Sequence, residues 1–145
     1  MLMPLLWSLL GVAFAAVYLA IGFRLRARER AWWSGGLIVA AGLYLGFALA
    51  QGEPGSALLF EVGGLVVYGA FAVRGLRGDL RWTAAGWLLH GLWDGFLHQP
   101  GDLAPVWYAW FCLSVDLVVG VALWHRATTQ MRPAPRGGPA AKIAR

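Results

Sequence analysis

Arg24-Leu25-Arg26-Ala27-Arg28-Glu29-Arg30 decides how this chain folds, because it sets four guanidinium groups between two long apolar runs. Leu5–Phe23 precedes the cluster and Ala31–Ala50 follows it. Three further apolar runs come after, at Ser56–Val73, Trp82–His98 and Val106–Trp124. The five are 17 to 20 residues long, close to the ~20 residues that cross a bilayer core as a helix. All twelve Lys and Arg residues lie in alternate gaps. The second cationic gap holds Arg74, Arg77 and Arg81, and the last run is followed by Arg126, Arg132, Arg136, Lys142 and Arg145. Cationic connections stay cytoplasmic. The expectation is an all-α integral membrane bundle of five transmembrane helices, N-terminus outside and C-terminus inside. Residues 1–127 form the membrane domain and 128–145 a basic, disordered cytoplasmic tail.

Composition agrees with that class. Hydrophobic residues make up 59% of the 145 and the mean hydropathy is +0.61, whereas a soluble domain of this size exposes far more charge. The net charge of +5 comes from the cytoplasmic bias and the tail. It suits anionic lipid headgroups and is not a nucleic-acid footprint. The first run is not expected to be a signal peptide, since its charges follow the apolar core instead of preceding it. With Cys112 as the single cysteine, no internal disulfide forms. Arg outnumbers Lys eleven to one, which fits a GC-rich bacterial genome and hence the inner membrane. Trp32, Trp33, Trp82 and Trp124 fall near the inner face and Trp7 and Trp107 near the outer, as an aromatic belt. Gln51–Gly55 and Gln99–Pro105 read as tight outer turns rich in Pro and Gly.

A weak internal repeat runs through the second and fourth helices. Gly42-Leu-Tyr-Leu-Gly-Phe47 aligns with Gly91-Leu-Trp-Asp-Gly-Phe96 at a spacing of 49, which also aligns Trp33 with Trp82. Both hairpins run in–out–in, a parallel repeat. Gly and Leu are common here, so chance resemblance is the rival reading. The difference between the halves is chemical: Ala41, Leu45 and Leu49 stand opposite His90, Asp94 and His98.

His90, Asp94 and His98 recur every fourth residue, so they share an arc of about 80° on one helix. Gly91-x-x-x-Gly95 beside them lets another helix approach closely. A charged group at membrane depth costs about 2.5–3.5 kcal/mol and persists where it faces a partner or a cavity. Candidate partners are Glu61 in the third helix and Asp116 in the fifth, where Tyr108, Cys112 and Asp116 step by four. Tyr68 shares the Glu61 face and Tyr44 the Gln51 face. These polar stripes imply one pocket opening to the outside.

Metal binding is the first reading of that pocket. His90 with Asp94, or Asp94 with His98, can aim two ligands at one ion from one helix, and Glu61, Asp116 or Cys112 would complete the set. Imidazole with carboxylate suits zinc, iron or manganese, and an open position would make the site catalytic. Metal-free acid–base catalysis by His90 and Asp94 on a small or lipid-like substrate is the second reading. Trp93, Tyr108, Tyr44 and Tyr68 would line the substrate. A proton-coupled transporter or channel is the third, although five helices are few unless the chain forms a homo-oligomer. The remaining class is a structural or accessory membrane protein whose His–carboxylate contacts only join helices.

The nine residues His90-Gly-Leu-Trp-Asp94-Gly-Phe-Leu-His98, with the chain's length and hydropathy, resemble the H-x-x-W-D signature of a family of small bacterial integral membrane proteins of unknown function. That resemblance implies no activity. It directs attention to His90, Trp93, Asp94 and His98.

Overall fold

A computed structural model describes residues 2–96 and 103–130. Over these the chain forms five α-helices: α1 Leu2–Arg24, α2 Glu29–Gln51, α3 Gly55–Arg77, α4 Leu80–Phe96 and α5 Val106–Gln130, with one turn of 3₁₀ helix at Arg26–Arg28 before α2. There is no strand among the described residues. Four stretches, Leu2–Arg24, Arg26–Gln51, Gly55–Arg77 and Val106–Thr129, are long and apolar enough to cross a bilayer. Their outer faces carry large apolar side chains: Val17 is 59% exposed, Val39 64%, Leu59 73% and Val121 59%. Such continuous apolar surface is stable against lipid and not against water. The chain is a helical, multi-pass membrane protein. α4 differs from the other four. Its 17 described residues span about 26 Å at 1.5 Å per residue, and α5, α3 and α2 all pack against it. The expected fifth crossing therefore rests on a short, largely enclosed helix.

The helices run past the apolar runs that announce them, because a helix continues into charged flanks that reach water. α3 takes in Arg74 and Arg77. α5 continues to Gln130, with the Thr128 and Thr129 hydroxyls donating to the carbonyls of Trp124, His125 and Arg126. The first residues of the expected tail thus belong to a helix; 131–145 lie outside the described residues. The turn after α2 follows its composition. Gly52 adopts φ 68°, and the amides of Gly52 and Glu53 donate back to Leu49 and Ala48, a left-handed cap that glycine adopts at no steric cost. Asp79 starts α4 by accepting from the Arg81 amide at 2.9 Å, an N-cap bond.

Contacts at the two ends fix the relative directions of the helices. At one end Arg30 donates to the Gly78 carbonyl, and Arg126 pairs with Glu29 at 2.7 Å while lying 4.9 Å over the Phe23 ring. That end gathers the close of α1, α3 and α5 with the start of α2 and α4. At the other, Trp7 meets Trp107 at 5.1 Å and Gln51 donates to the Leu103 carbonyl. Successive helices alternate in direction, and the cationic connections share one end, as the alternating gaps require.

Small residues and tryptophans make the core between the helices. α1 buries only Gly11, Ala15 and Gly22. A Cβ at Gly11 would collide with the Phe111 carbonyl oxygen, so α1 meets α5 backbone to backbone. Trp33 is not the interfacial anchor expected from its position. It is fully buried, because Gly22 offers no side chain and the indole lies where its Cβ would be, with Tyr18 and Phe23 each 5.3 Å away. Trp87 donates to the Trp33 carbonyl at 3.1 Å. Ser34 and Thr83 share a buried hydroxyl–hydroxyl bond of 3.2 Å. These bonds pin α2 to α4 below the polar stripe.

Candidate metal centre

His90 and Asp94 come from successive turns of α4, and Cys112 and Asp116 from successive turns of α5. The four-residue step puts each pair on one face, and the faces meet because glycine lets the helices close. A Cβ on Gly91 would stand 3.1 Å from Asp116 Cβ. One potential ligand atom from each of the four residues lies within 4.8 Å of the others, and all four side chains are buried. Counted at 1.5 Å per residue from the ends of α2 and α5 away from the cationic connections, the cluster lies roughly 10–15 Å deep.

Within it, His90 Nδ1 and Asp116 Oδ2 are hydrogen-bonded at 2.7 Å. Asp94 Oδ2 stands 3.7 Å from the same nitrogen. Cys112 Sγ donates towards the Tyr108 hydroxyl at 3.6 Å and reaches Asp116 Oδ2 at 3.9 Å. Neither oxygen of Asp94, nor Oδ1 of Asp116, has a hydrogen-bond partner among the described residues. Buried carboxylate oxygens without donors cost free energy that a cation, a proton shared between the two carboxyls or an undescribed donor returns. With both carboxyls ionised the cluster would be short of positive charge, a deficit that a divalent ion could fill.

Aromatic rings form the walls. Tyr68 meets the His90 imidazole edge-on at 4.9 Å and donates to the Leu89 carbonyl. Tyr44 is fully buried, 6.1 Å from His90 and 5.8 Å from Tyr108. These rings fix the imidazole plane by packing.

The sequence-predicted residues divide accordingly. His90, Asp94 and Asp116 come together, with Cys112 as fourth member from the candidates named for completing the set. Glu61 is buried on α3 but stands outside the group of four. Tyr44, Tyr68 and Tyr108 surround the cluster. Trp93 turns to α3, stacked on Phe60 at 4.8 Å and above Gly64. His98 lies outside the described residues. His125 is exposed at the cationic end, far along α5 from the cluster. A cavity of about 190 Å³ between α1, α2 and α5 ends on Cys112 and Asp116. Sequence periodicity gave no sign of it, because it depends on which helices leave a gap.

Comparisons with curated proteins and with solved structures found no match. A family of unknown function, DUF6010, matches residues 6–129, all five helices included. The chain belongs to that family.

Proposed function

We propose that this protein is an inner-membrane metalloprotein of a bacterium, with its cationic end in the cytoplasm and a divalent transition metal held by His90, Asp94, Cys112 and Asp116. The observation that carries this reading is the convergence of four potential ligand atoms within 4.8 Å in a buried site, with no close hydrogen bond to either Asp94 oxygen among the described residues. Nitrogen, sulfur and oxygen donors in a set of four suit zinc, and iron next. Ligand bonds of about 2.0–2.3 Å require the donors to draw in slightly. The ion would replace both the proton shared by His90 and Asp116 and the Cys112 thiol proton, which are released on binding. Four protein ligands would make a closed, structural centre. Release of one carboxylate would open a position for a substrate and make the centre catalytic.

The test is the metal content of the purified, detergent-solubilised chain, beside His90→Ala and Asp94→Ala. Near-stoichiometric zinc, iron or manganese, lost in both folded variants, is the expected result. No metal after incubation with each ion overturns the reading.

A second reading has its own observation. The 2.7 Å His90–Asp116 bond joins α4 to α5 and can serve as helix glue. It predicts that variants lose stability and nothing else.

A further inference from the structure

The cavity that ends on the cluster opens sideways. Its mouth is Phe14 of α1 and Val39 and Leu43 of α2, which are 51%, 64% and 43% exposed. Phe14 and Val39 fall near the middle of two 23-residue helices, so the mouth faces the hydrocarbon region of a bilayer and neither aqueous side. The walls are apolar: Ala40, Phe111 and Val115. Cys112 and Asp116, 5% and 0% exposed, belong to the lining, so the carboxylate lies just behind an almost wholly apolar surface, and its Oδ1 has no close donor among the described residues.

We infer that the centre is reached laterally from the lipid phase by an amphiphile: a single hydrocarbon chain lying between α1, α2 and α5, with a terminal hydrogen-bond donor such as a hydroxyl at Asp116. This deepens the metal-centre reading by naming what approaches it, and rests on the same site. Three features favour a lipid-phase ligand. A water-soluble molecule would have to cross hydrocarbon to enter here. About 190 Å³ is smaller than the ~300–1,000 Å³ of drug-sized pockets and suits a chain segment. An apolar throat with a buried carboxylate in its lining matches a molecule polar at one end only.

The test uses the full chain in phosphatidylcholine vesicles with hexadecanol bearing a mid-chain diazirine as the probe. After illumination, peptide mapping should find adducts on the segments around Val39–Leu43 and Phe111–Val115 at least fivefold above those on the exposed face around Leu59–Val66. Ala40→Trp, which plugs the throat, should abolish the excess. Val39→Trp at the exposed lip is the second plug, at a position with room for the ring. Unlabelled hexadecanol should compete at least fivefold better than hexadecane. Adducts spread evenly over all exposed faces, labelling unchanged by both plugs, or equal competition by hexadecane would each overturn the inference. Metal content is measured on the same samples. If no metal binds and the labelling pattern holds, the metal reading fails while the lateral site stands.

Discussion

Asp94 and Asp116 are two buried aspartates in one cluster, yet replacing them should have opposite effects. Asp116 accepts from His90 at 2.7 Å. Asp116→Leu removes a buried, charge-assisted bond worth about 1.5–3 kcal/mol and leaves a desolvated imidazole N–H, at a further ~1–3 kcal/mol. Interhelical bonds in membranes run smaller, about 0.6 kcal/mol on average, so a total loss of roughly 2–4 kcal/mol is the expectation. Asp94 stands 3.7 Å from His90, with Tyr44 and Cys112 as further polar neighbours, but neither of its oxygens accepts a close hydrogen bond among the described residues. Asp94→Leu replaces two desolvated oxygens by methyl groups of similar bulk. Such exchanges are neutral or stabilising, by roughly 0–2 kcal/mol. The assay is unfolding from mixed micelles by added sodium dodecyl sulfate, with a chelator present to remove any metal. Asp94→Leu should unfold at or above the wild-type midpoint and Asp116→Leu well below it. With metal restored, wild type alone should gain stability. If Asp94→Leu proves as destabilising as Asp116→Leu in chelator, Asp94 is structural glue and its place in a metal centre is refuted.

The remaining predictions concern packing, capping and orientation. Gly120→Ala would set a Cβ 2.7 Å from Leu88 Cγ and 3.0 Å from the Leu88 amide nitrogen, so it should cost about 1–3 kcal/mol by overpacking. Gly42→Ala, with nothing within 4 Å, should be neutral or stabilise by up to about 1 kcal/mol; equal unfolding midpoints for the two would contradict this packing. Asp79→Ala should cost about 1 kcal/mol as a lost cap, while Asp79→Asn keeps most of it. The Arg81 side chain bonded to Asp79 holds its carboxyl below the ordinary value. The stabilisation is therefore present above the unfolded carboxylate range and lost as pH falls through the lower folded value; a wild-type and Asp79→Ala difference that persists in strong acid would refute it. In a Cys112→Ala background, Ser56→Cys should react with an impermeant maleimide on intact cells, and Arg77→Cys only after lysis. The reverse pattern would invert the topology.

The five helices were legible because membrane helices announce themselves by hydropathy and charge, signals local to each segment. The alternating arginines also foretold which connections share an end, since Arg30 meets Gly78 and Glu29 meets Arg126. The four-residue steps of His90–Asp94 and Cys112–Asp116 carried most of the cluster. Where reading fell short, the missing information was relational. Nothing in the spacing says that α1 closes on α5 through Gly11, that Trp33 occupies the space left by Gly22, or that Glu61 stands outside the group its depth suggested. The lateral cavity was equally hidden, because a gap between α1, α2 and α5 leaves no periodicity in any of them. The helix ends were misjudged because hydropathy stops at Arg74 and Trp124 while backbone hydrogen bonding does not.

The Ser34–Thr83 bond joins positions 49 apart, the same interval at which the two hairpins align. When a surface meets a copy of itself across a two-fold axis, equivalent positions come face to face, and under the proposed repeat Ser34 and Thr83 would be such a pair. An ancestral hairpin about a third of this length, pairing with an identical copy, would have placed one hydroxyl residue against its twin. Fusion of the copies would then have freed one to acquire histidine and aspartate while the other kept alanine and leucine. The chemistry of this protein would in that case be the outcome of broken symmetry, with Ser34 and Thr83 preserving the old axis.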